Sequence, residues 1–242
     1  MRALFLSDIH LGDQDDPNFK ILCRFLDEQL GQLTHLFLLG DIFDVWVGPH
    51  EYYYRKYQGV VDSLRRLRAA GTEIHFFEGN HDFALSGFWD TRVGATVHEG
   101  PAHFQLAGLK VRVEHGDQTN PFDLGYIRLR AFLRSGPLDF LIRNTPERFV
   151  AFVGETWSPL SRKKKKPYVN EEVKKITHDF AAKLAQYDSF DLMVMGHTHM
   201  HEDFSFQVGG KSRRLINLGT WLERPRAFEI SDAGTRWLDF VP

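Results

Sequence analysis

At 242 residues, 43% of them hydrophobic and 26% charged, the chain is long enough to bury a substantial core and has the balance of a soluble globular protein. A formal net charge of −2 exerts no global pull toward nucleic acid, so no nucleic-acid partner is expected and electrostatic partners must be read locally. One cysteine, Cys23, excludes an intramolecular disulfide; the N-terminal apolar run is too short for a signal peptide, and no stretch approaches the roughly 20 apolar residues of a membrane span, so a cytoplasmic protein is expected.

Ala3 to Ser7 reads as a buried strand that delivers Asp8-Ile9-His10 to its end. Asp15, Asp16 and Pro17 start a helix whose Phe19, Leu22, Cys23, Leu26 and Leu30 keep helical spacing, with Cys23 as a packing residue. A second strand, His35 to Leu39, ends at Gly40-Asp41-Ile42-Phe43-Asp44. A loop rich in aromatics (Trp46, Tyr52, Tyr53, Tyr54) leads to an amphipathic helix carrying Val60, Val61, Leu64 and Leu67, which Gly71 closes. The third strand, Glu73 to Phe77, brings Gly79-Asn80-His81-Asp82. This β-α-β-α-β order predicts parallel pairing with right-handed crossovers.

The texture then changes. Thr96 to His98, His103 to Leu106 and Lys110 to Glu114 are short segments with tight turns, ending at His115-Gly116-Asp117. From Pro121 to Pro167 the pattern is helical and dense in Leu, Phe and Ile, with Arg128, Arg130, Arg134, Arg143 and Arg148 interleaved. Arg162-Lys163-Lys164-Lys165-Lys166 closes that segment. Asn170 is placed to cap a helix with Val173, Ile176, Phe180 and Leu184 on one face, and strand Leu192 to Met195 leads into Gly196-His197-Thr198-His199. Phe204 to Val208, Arg214 to Asn217, Ala227 to Ile230 and Arg236 to Phe240 form a closing meander. With no repeat and no linker, the expectation is one α/β domain over residues 1–242 with a helical insertion at 121–167.

Apolar strands thus end repeatedly in polar clusters: Asp8 and His10, Asp41 and Asp44, Asn80 with His81 and Asp82, His115, and His197 with His199. In open α/β sheets the carboxyl edge is where ligands bind. Histidine and carboxylate donors without cysteine suit Mn, Fe or Zn rather than a zinc–thiolate site. The donors outnumber what one ion needs, which suggests two. A metal pair about 3.5–4 Å apart, bridged most simply by a carboxylate, is a usual device for phosphoester hydrolysis.

Taken together and in order, Asp8-x-His10, Gly40-Asp41-x-x-Asp44, Gly79-Asn80-His81-Asp82, His115 and Gly196-His197-x-His199 resemble the calcineurin-like metallophosphoesterases. The resemblance implies a four-layer α/β/β/α sandwich of two mixed sheets. It assigns Asp8, His10, Asp41 and His199 to one divalent ion, and a bridging Asp41 with Asn80, His115 and His197 to a second, Mn foremost, with Fe or Zn able to occupy the same donors. It makes His81, oriented by Asp82, the donor of a proton to the leaving oxygen or a stabiliser of phosphoryl charge, and Asp44 an orienting group.

Within that superfamily, Ser7-Asp8-Ile9-His10-Leu11, Gly40-Asp41-Ile42-Phe43-Asp44, a helical lid directly after His115-Gly116-Asp117 and Asn217-Leu218-Gly219-Thr220-Trp221 resemble the UDP-2,3-diacylglucosamine diphosphatases of lipid A biosynthesis. Those enzymes split the pyrophosphate of a lipid-linked UDP-sugar, releasing UMP and the acylated sugar 1-phosphate. The resemblance places Asn80, His81, Asp123 and Tyr126 at substrate-contact positions. One residue departs from it: the best-known branch has Arg where this chain has His81. The alternative is therefore the same chemistry on a soluble nucleotide or phosphodiester, with the lid as a mere cover; a non-catalytic binding module would show eroded ligand positions, and here each is intact.

The insertion reads equally as a small helical subdomain with its own core or as an acyl-chain pocket. The Arg162 to Lys166 run reads first as a solvated loop, and second as a contact with an anionic membrane surface on the inner face of the inner membrane. His35, His50, His75, His98, His103 and His178 lie outside the motifs as surface or core residues, and His201 reads as a strand-surface residue before a site-lining one. Tyr52, Tyr53 and Tyr54 read as loop packing. Oligomeric state has no sequence signal.

Overall fold

Alternation within the first strand divides the core. In β1 (Arg2–Leu6), Leu4 and Leu6 belong to one apolar cluster and Ala3 and Phe5 to another, so the strand is buried on both faces. A computed structural model describes residues 1–152, 155–156 and 171–240. Its remaining strands are β2 (His35–Leu38), β3 (Trp46–Val47), β4 (Glu73–Phe77), β5 (Asp82–Phe83), β6 (Thr96–His98), β7 (Ala102–Leu106) and β8 (Leu109–Val113), then β9 (Leu192–Met195), β10 (His201–Val208), β11 (Lys211–Leu218), β12 (Arg226–Ser231) and β13 (Gly234–Asp239). The helices are α1 (Pro17–Glu28), α2 (Glu51–Lys56), α3 (Gln58–Ala69), α4 (Leu124–Leu133), α5 (Gly136–Arg143) and α6 (Glu171–Leu184), and residues 147–152 are also helical.

Two mixed sheets result. One runs β13-β12-β1-β2-β4-β6 and the other β10-β11-β9-β8-β7, with β3 and β5 forming a small separate ladder. In the first, β1, β2, β4 and β6 are parallel and β12 and β13 antiparallel. In the second, β8, β9 and β11 are parallel and β7 and β10 close the edges antiparallel.

Three apolar layers stack around them. Leu4, Leu6, Leu36 and Phe76 pack under α1 and α3; Phe5, Phe37 and Phe77 meet Val111, Val194 and Ile216 between the sheets; Met193, Met195 and Leu215 pack under Ala181 and Ala185. This is the four-layer α/β/β/α sandwich the resemblance implies.

Several local expectations change. The tyrosine run folds as α2, because Tyr53 is buried and Trp46 stacks on both Tyr53 and Tyr57, while Glu51 and the Arg55–Lys56 pair suit the two ends of the helix dipole. α1 stops at Glu28, which leaves Leu30 38% exposed rather than on the buried stripe. Cys23 packs beside the core, and burial pushes its thiol up to about 11, so it is no nucleophile. The cap at Asn170 and the Arg162 to Lys166 run lie outside the described residues. α4 and α5 are helical as expected but bury no residue fully: Phe122, Phe132, Phe140, Leu141, Phe149 and Phe152 stand more than half exposed around them. Among the described residues, no helix is long and apolar enough to cross a membrane.

Candidate active site

Parallel pairing brings the carboxyl ends of β1, β2 and β4 to one edge, and those of β8 and β9 in the second sheet to the same edge. Asp8 and His10 follow β1, Asp41 follows β2, Asn80 and His81 follow β4, His115 follows β8, and His197 and His199 follow β9. To turn inward so soon, the backbone takes the left-handed region at Asp8, His10, Asp41, His197 and His199, with φ of 51°, 54°, 54°, 68° and 59°. Among the described residues only Ala84 and Ala107 share it without being glycine. Such conformations cost on the order of 1–3 kcal/mol each and persist where surrounding bonds over-determine them. Here those bonds run between motifs: His10 N–H to Asp41 O at 3.0 Å, Gly196 N–H to His115 O at 2.9 Å, and His197 N–H to Asp8 Oδ2 at 2.8 Å.

The glycines of the motifs let the loops interlock. A Cβ on Gly40 would stand 2.6 Å from His115 Nδ1, and one on Gly79 would stand 2.7 Å from Asp82 Oδ1. Only a hydrogen fits at either position.

Two donor groups share one carboxylate. Asp8 Oδ1, His10 Nε2 and His199 Nε2 converge, with His199 at 3.3 Å from Asp8 and at 3.2 Å from His10. Asp41, His115 and His197 form the second group, joined by the Asn80 carboxamide oxygen at 3.2 Å from His115 Nε2 and 3.0 Å from His197 Nδ1. Asp41 reaches both, with Oδ2 at 3.9 Å from His10 Nε2 and Oδ1 at 3.7 Å from His115 Nε2. His81 completes a third group with His10 and Asp41. Asp8 Oδ1 is buried without a hydrogen bond of good geometry, and two imidazole nitrogens lie within about 4 Å of it. A buried anion so placed fits a cation rather than a proton donor, and the oxygen and nitrogen donor set fits a divalent metal.

The electrostatics agree. Burial pushes the Asp41 carboxyl upward, but the imidazoles of His81, His115, His10 and His197 outweigh it and hold it well below the usual carboxylate range. Burial, with His115 nearby, pushes the His197 imidazole down to about 4, leaving it neutral and able to ligate. At Asp82, burial and the Asp41 charge push the carboxyl upward against the pull of backbone donors.

Second-layer contacts differ from the expectation in one respect. Asp82 does not orient the His81 ring; its carboxylate accepts N–H from Asp41 and Ile42, both at 2.8 Å, and from Gly79 at 3.1 Å, bracing the Asp41 loop. The His81 ring is held instead by the Asp44 backbone carbonyl, 2.9 Å from Nδ1, and His81 N–H donates to Asp41 Oδ1. That contact gives Nδ1 the proton in the neutral ring and leaves Nε2 the other functional atom. The Asp44 carboxylate lies 4.0 Å from His10 Nδ1. His115 Nδ1 is held by Leu39 O at 2.6 Å, which turns Nε2 to the centre.

Of the two residues expected at substrate-contact positions in the helical insertion, Tyr126 lies beside the centre, its ring 6.2 Å from that of His197. Asp123 is exposed and caps α4, accepting the Tyr126 N–H at 2.9 Å. His201 opens β10 with its ring on Trp237. A cavity of about 490 Å³ opens between the centre and α4, lined by Asn80, His81, Phe83, Tyr126, Leu129 and Leu133 among others. Sequence reasoning left unassigned the Asn217 side chain, which donates to Thr198 Oγ1 at 2.6 Å between two of the histidines, and Arg130 and Arg134, which bind Asp117 and Glu78. The spacing of Tyr126, Arg130 and Arg134, four residues apart on one helix face, was the available signal for the last two.

A two-sheet sandwich with carboxylates, imidazoles and an amide gathered at the strand ends defines a metal-dependent phosphoesterase. A model of the calcineurin-like phosphoesterases matches residues 1–201, and the chain belongs to that family, whose members use divalent metal ions to hydrolyse phosphoester and phosphoanhydride bonds. Among its relatives, UDP-2,3-diacylglucosamine hydrolase of Pseudomonas savastanoi pv. phaseolicola is 31% identical over 99% of this chain and 96% of its own length. The enzyme of the same name from Pseudomonas aeruginosa is 28% identical over 99% of both chains. A solved archaeal phosphodiesterase shares the fold at a TM-score of 0.50 and 12% identity, covering 99% of this chain and 100% of that one.

Proposed function

We propose that this protein hydrolyses the pyrophosphate of UDP-2,3-diacylglucosamine, adding water across the anhydride to release UMP and 2,3-diacylglucosamine 1-phosphate. The observation that carries the reading is the cavity of about 490 Å³, whose one wall is Asn80 and His81 and whose other wall is Leu129 and Leu133 of α4 with Tyr126, Arg130 and Arg134 beside them. A diphosphate seated at the polar wall would direct attached acyl chains along Phe83, Leu129 and Leu133, which suits an amphiphile better than a soluble nucleotide. The named relatives, matched almost end to end, act on that substrate by their names.

Asp8, His10, Asp41 and His199 would hold one divalent ion, and Asp41, Asn80, His115 and His197 a second; Mn suits the mixed donors. Bound there, the ions would supply charge stabilisation to the phosphate and a nucleophile from water at neutral pH. Around them the chain's own residues position and protonate. Asp41 spans the two donor groups, and Asp82 braces its loop. His81, held through Nδ1, presents its far nitrogen to the leaving oxygen; as the imidazolium, with both ring nitrogens protonated, it would deliver a proton there or stabilise phosphoryl charge. The helices within 121–167 act as a lid, and the exposed Phe122, Phe132, Phe140 and Phe152 support contact with lipid at a membrane face.

The deciding experiment compares UMP release from UDP-2,3-diacylglucosamine with hydrolysis of bis-p-nitrophenyl phosphate by Mn-loaded protein. A far higher kcat/KM for the lipid supports the reading. Turnover of the soluble diester alone would keep the metal chemistry and assign the protein to a soluble phosphodiester or nucleotide, the outcome that an imidazole at position 81 makes worth measuring.

A further inference from the structure

Helix α4 forms a wall of the site, yet it buries no residue fully, and its Leu124, Leu129 and Phe132 are 57%, 52% and 62% exposed. Apolar burial therefore contributes little to holding it in place. What it has is a polar stripe. Tyr126, Arg130 and Arg134 recur every four residues and so share one face. Tyr126 Oη donates to Asp117 Oδ2, and Arg130 donates Nε to the same oxygen at 2.8 Å and Nη2 to Glu99 O at 2.7 Å. Arg134 donates Nε to Glu78 Oε2 at 3.2 Å and Nη2 to Gly79 O at 2.9 Å, with its guanidinium 5.5 Å over the Phe83 ring.

The acceptors are not surface groups. The Asp117 and Glu78 side chains are 4% and 3% exposed, and the two arginines only 15% and 12%. Breaking pairs so desolvated costs far more than breaking exposed ones, because a buried carboxylate is left without its partner. Their places in the chain also matter. Asp117 lies two residues beyond His115, and Glu78 and Gly79 directly precede Asn80. The stripe therefore ties one helix to the two loops that carry Asn80 and His115.

We propose that Arg130 and Arg134 are positioning residues that latch α4 onto these loops, and that this latch sets the preference of the site for an amphiphilic diphosphate over a small diester. The substrate half of this statement rests on the function proposed above; the latch itself does not. Releasing α4 removes the wall made by Tyr126, Leu129 and Leu133 while leaving the donors of the centre in place, so the apolar part of a substrate loses its contacts before the phosphate does.

The test uses Arg130→Gln, Arg134→Gln and the paired Glu78→Gln/Arg134→Gln, which leaves no stranded carboxylate if the single variant folds poorly. Hydrogen exchange is followed over residues 124–133, and kcat and KM are measured for UDP-2,3-diacylglucosamine and bis-p-nitrophenyl phosphate. The latch requires exchange in α4 to accelerate about tenfold or more relative to the strands, as expected for loss of a charge-assisted bond. It also requires the lipid-to-diester ratio of kcat/KM to fall about tenfold, mainly through KM. Arg134→Lys, which keeps the charge but not the fork to Gly79, should restore part of both. Unchanged α4 exchange in folded variants overturns the latch, and so does equal loss of both activities, which would place the arginines' effect on the reacting loops alone. If the wild type turns over no lipid, the substrate reading fails while the exchange experiment still decides the latch.

Discussion

His81 is the residue whose chemistry is most exposed to test. Its Nδ1 is tied to the Asp44 carbonyl, so only the other nitrogen can serve a departing group. His81→Ala should lower kcat for UMP release by about 10²–10⁴-fold, the usual worth of a positioned acid. Among soluble diesters, hydrolysis of bis-p-nitrophenyl phosphate should fall much less than hydrolysis of a phenyl diester, because p-nitrophenolate leaves without a proton and the more basic phenolate does not. Equal losses on both diesters would assign His81 to charge stabilisation instead. A different histidine contributes to acid stability. His75 is buried among Phe37, Phe104 and His98, with His98 Nε2 3.1 Å from its Nδ1 and Glu73 3.9 Å from its Nε2. Burial first, then the His98 and His35 rings, push it down to about 4 from an ordinary 6.5. The unfolded chain gains a proton there below about 6.5 that the native chain refuses until about 4, so this group lowers stability as pH falls through that interval. His75→Phe should make the acid limb of a denaturation profile shallower between those values; a profile unchanged in slope would remove His75 as its cause.

At the scale of elements, the strands and the insertion divide the labour. Among the described residues the strand ends carry the donors of the centre, α4 lines the cavity beside it, and α4 and α5 both expose apolar side chains. Replacing residues 121–167 by a short Gly/Ser linker, together with Glu78→Gln and Asp117→Asn so that no buried carboxylate is stranded, should therefore preserve hydrolysis of a small diester within roughly tenfold and abolish turnover of the acylated substrate. Loss of both would mean that the insertion is part of the folding unit rather than a lid. Composition did not announce how these helices are used. Phe132 and Phe140 look like core residues in the sequence, since an apolar count cannot distinguish a buried stripe from an exposed one. In α4 the side chains that dock are the polar ones, because their partners, Asp117 and Glu78, arrive from distant strands.

For the whole molecule, a metal held by the donor groups proposed above would couple to stability. Five left-handed residues and a buried Asp8 oxygen cost free energy that a bound cation would offset, and a ligand held only by the native state raises Tm by mass action. Chelation should abolish turnover and lower Tm, and added Mn should restore both. Asp41→Ala, which removes the carboxylate shared by both donor groups, should lose activity and leave Tm insensitive to Mn. A Mn-dependent Tm retained in that variant would show that Asp41 is not the shared ligand.

The sequence alone determined the alternation of strands and helices and the residue types at each strand end, because those follow from periodicity and from polar residues breaking apolar runs over a few positions. Asp8, His10, Asp41, Asn80, His115, His197 and His199 were all legible in that way. Only the tertiary structure decided that five strand ends from two sheets meet at one point, that Asp82 braces backbone while the Asp44 carbonyl holds His81, and that Arg130 and Arg134 reach inward. Those outcomes depend on which segments pair and at what register. Such pairings are set by packing across the whole chain, and no local stretch encodes them.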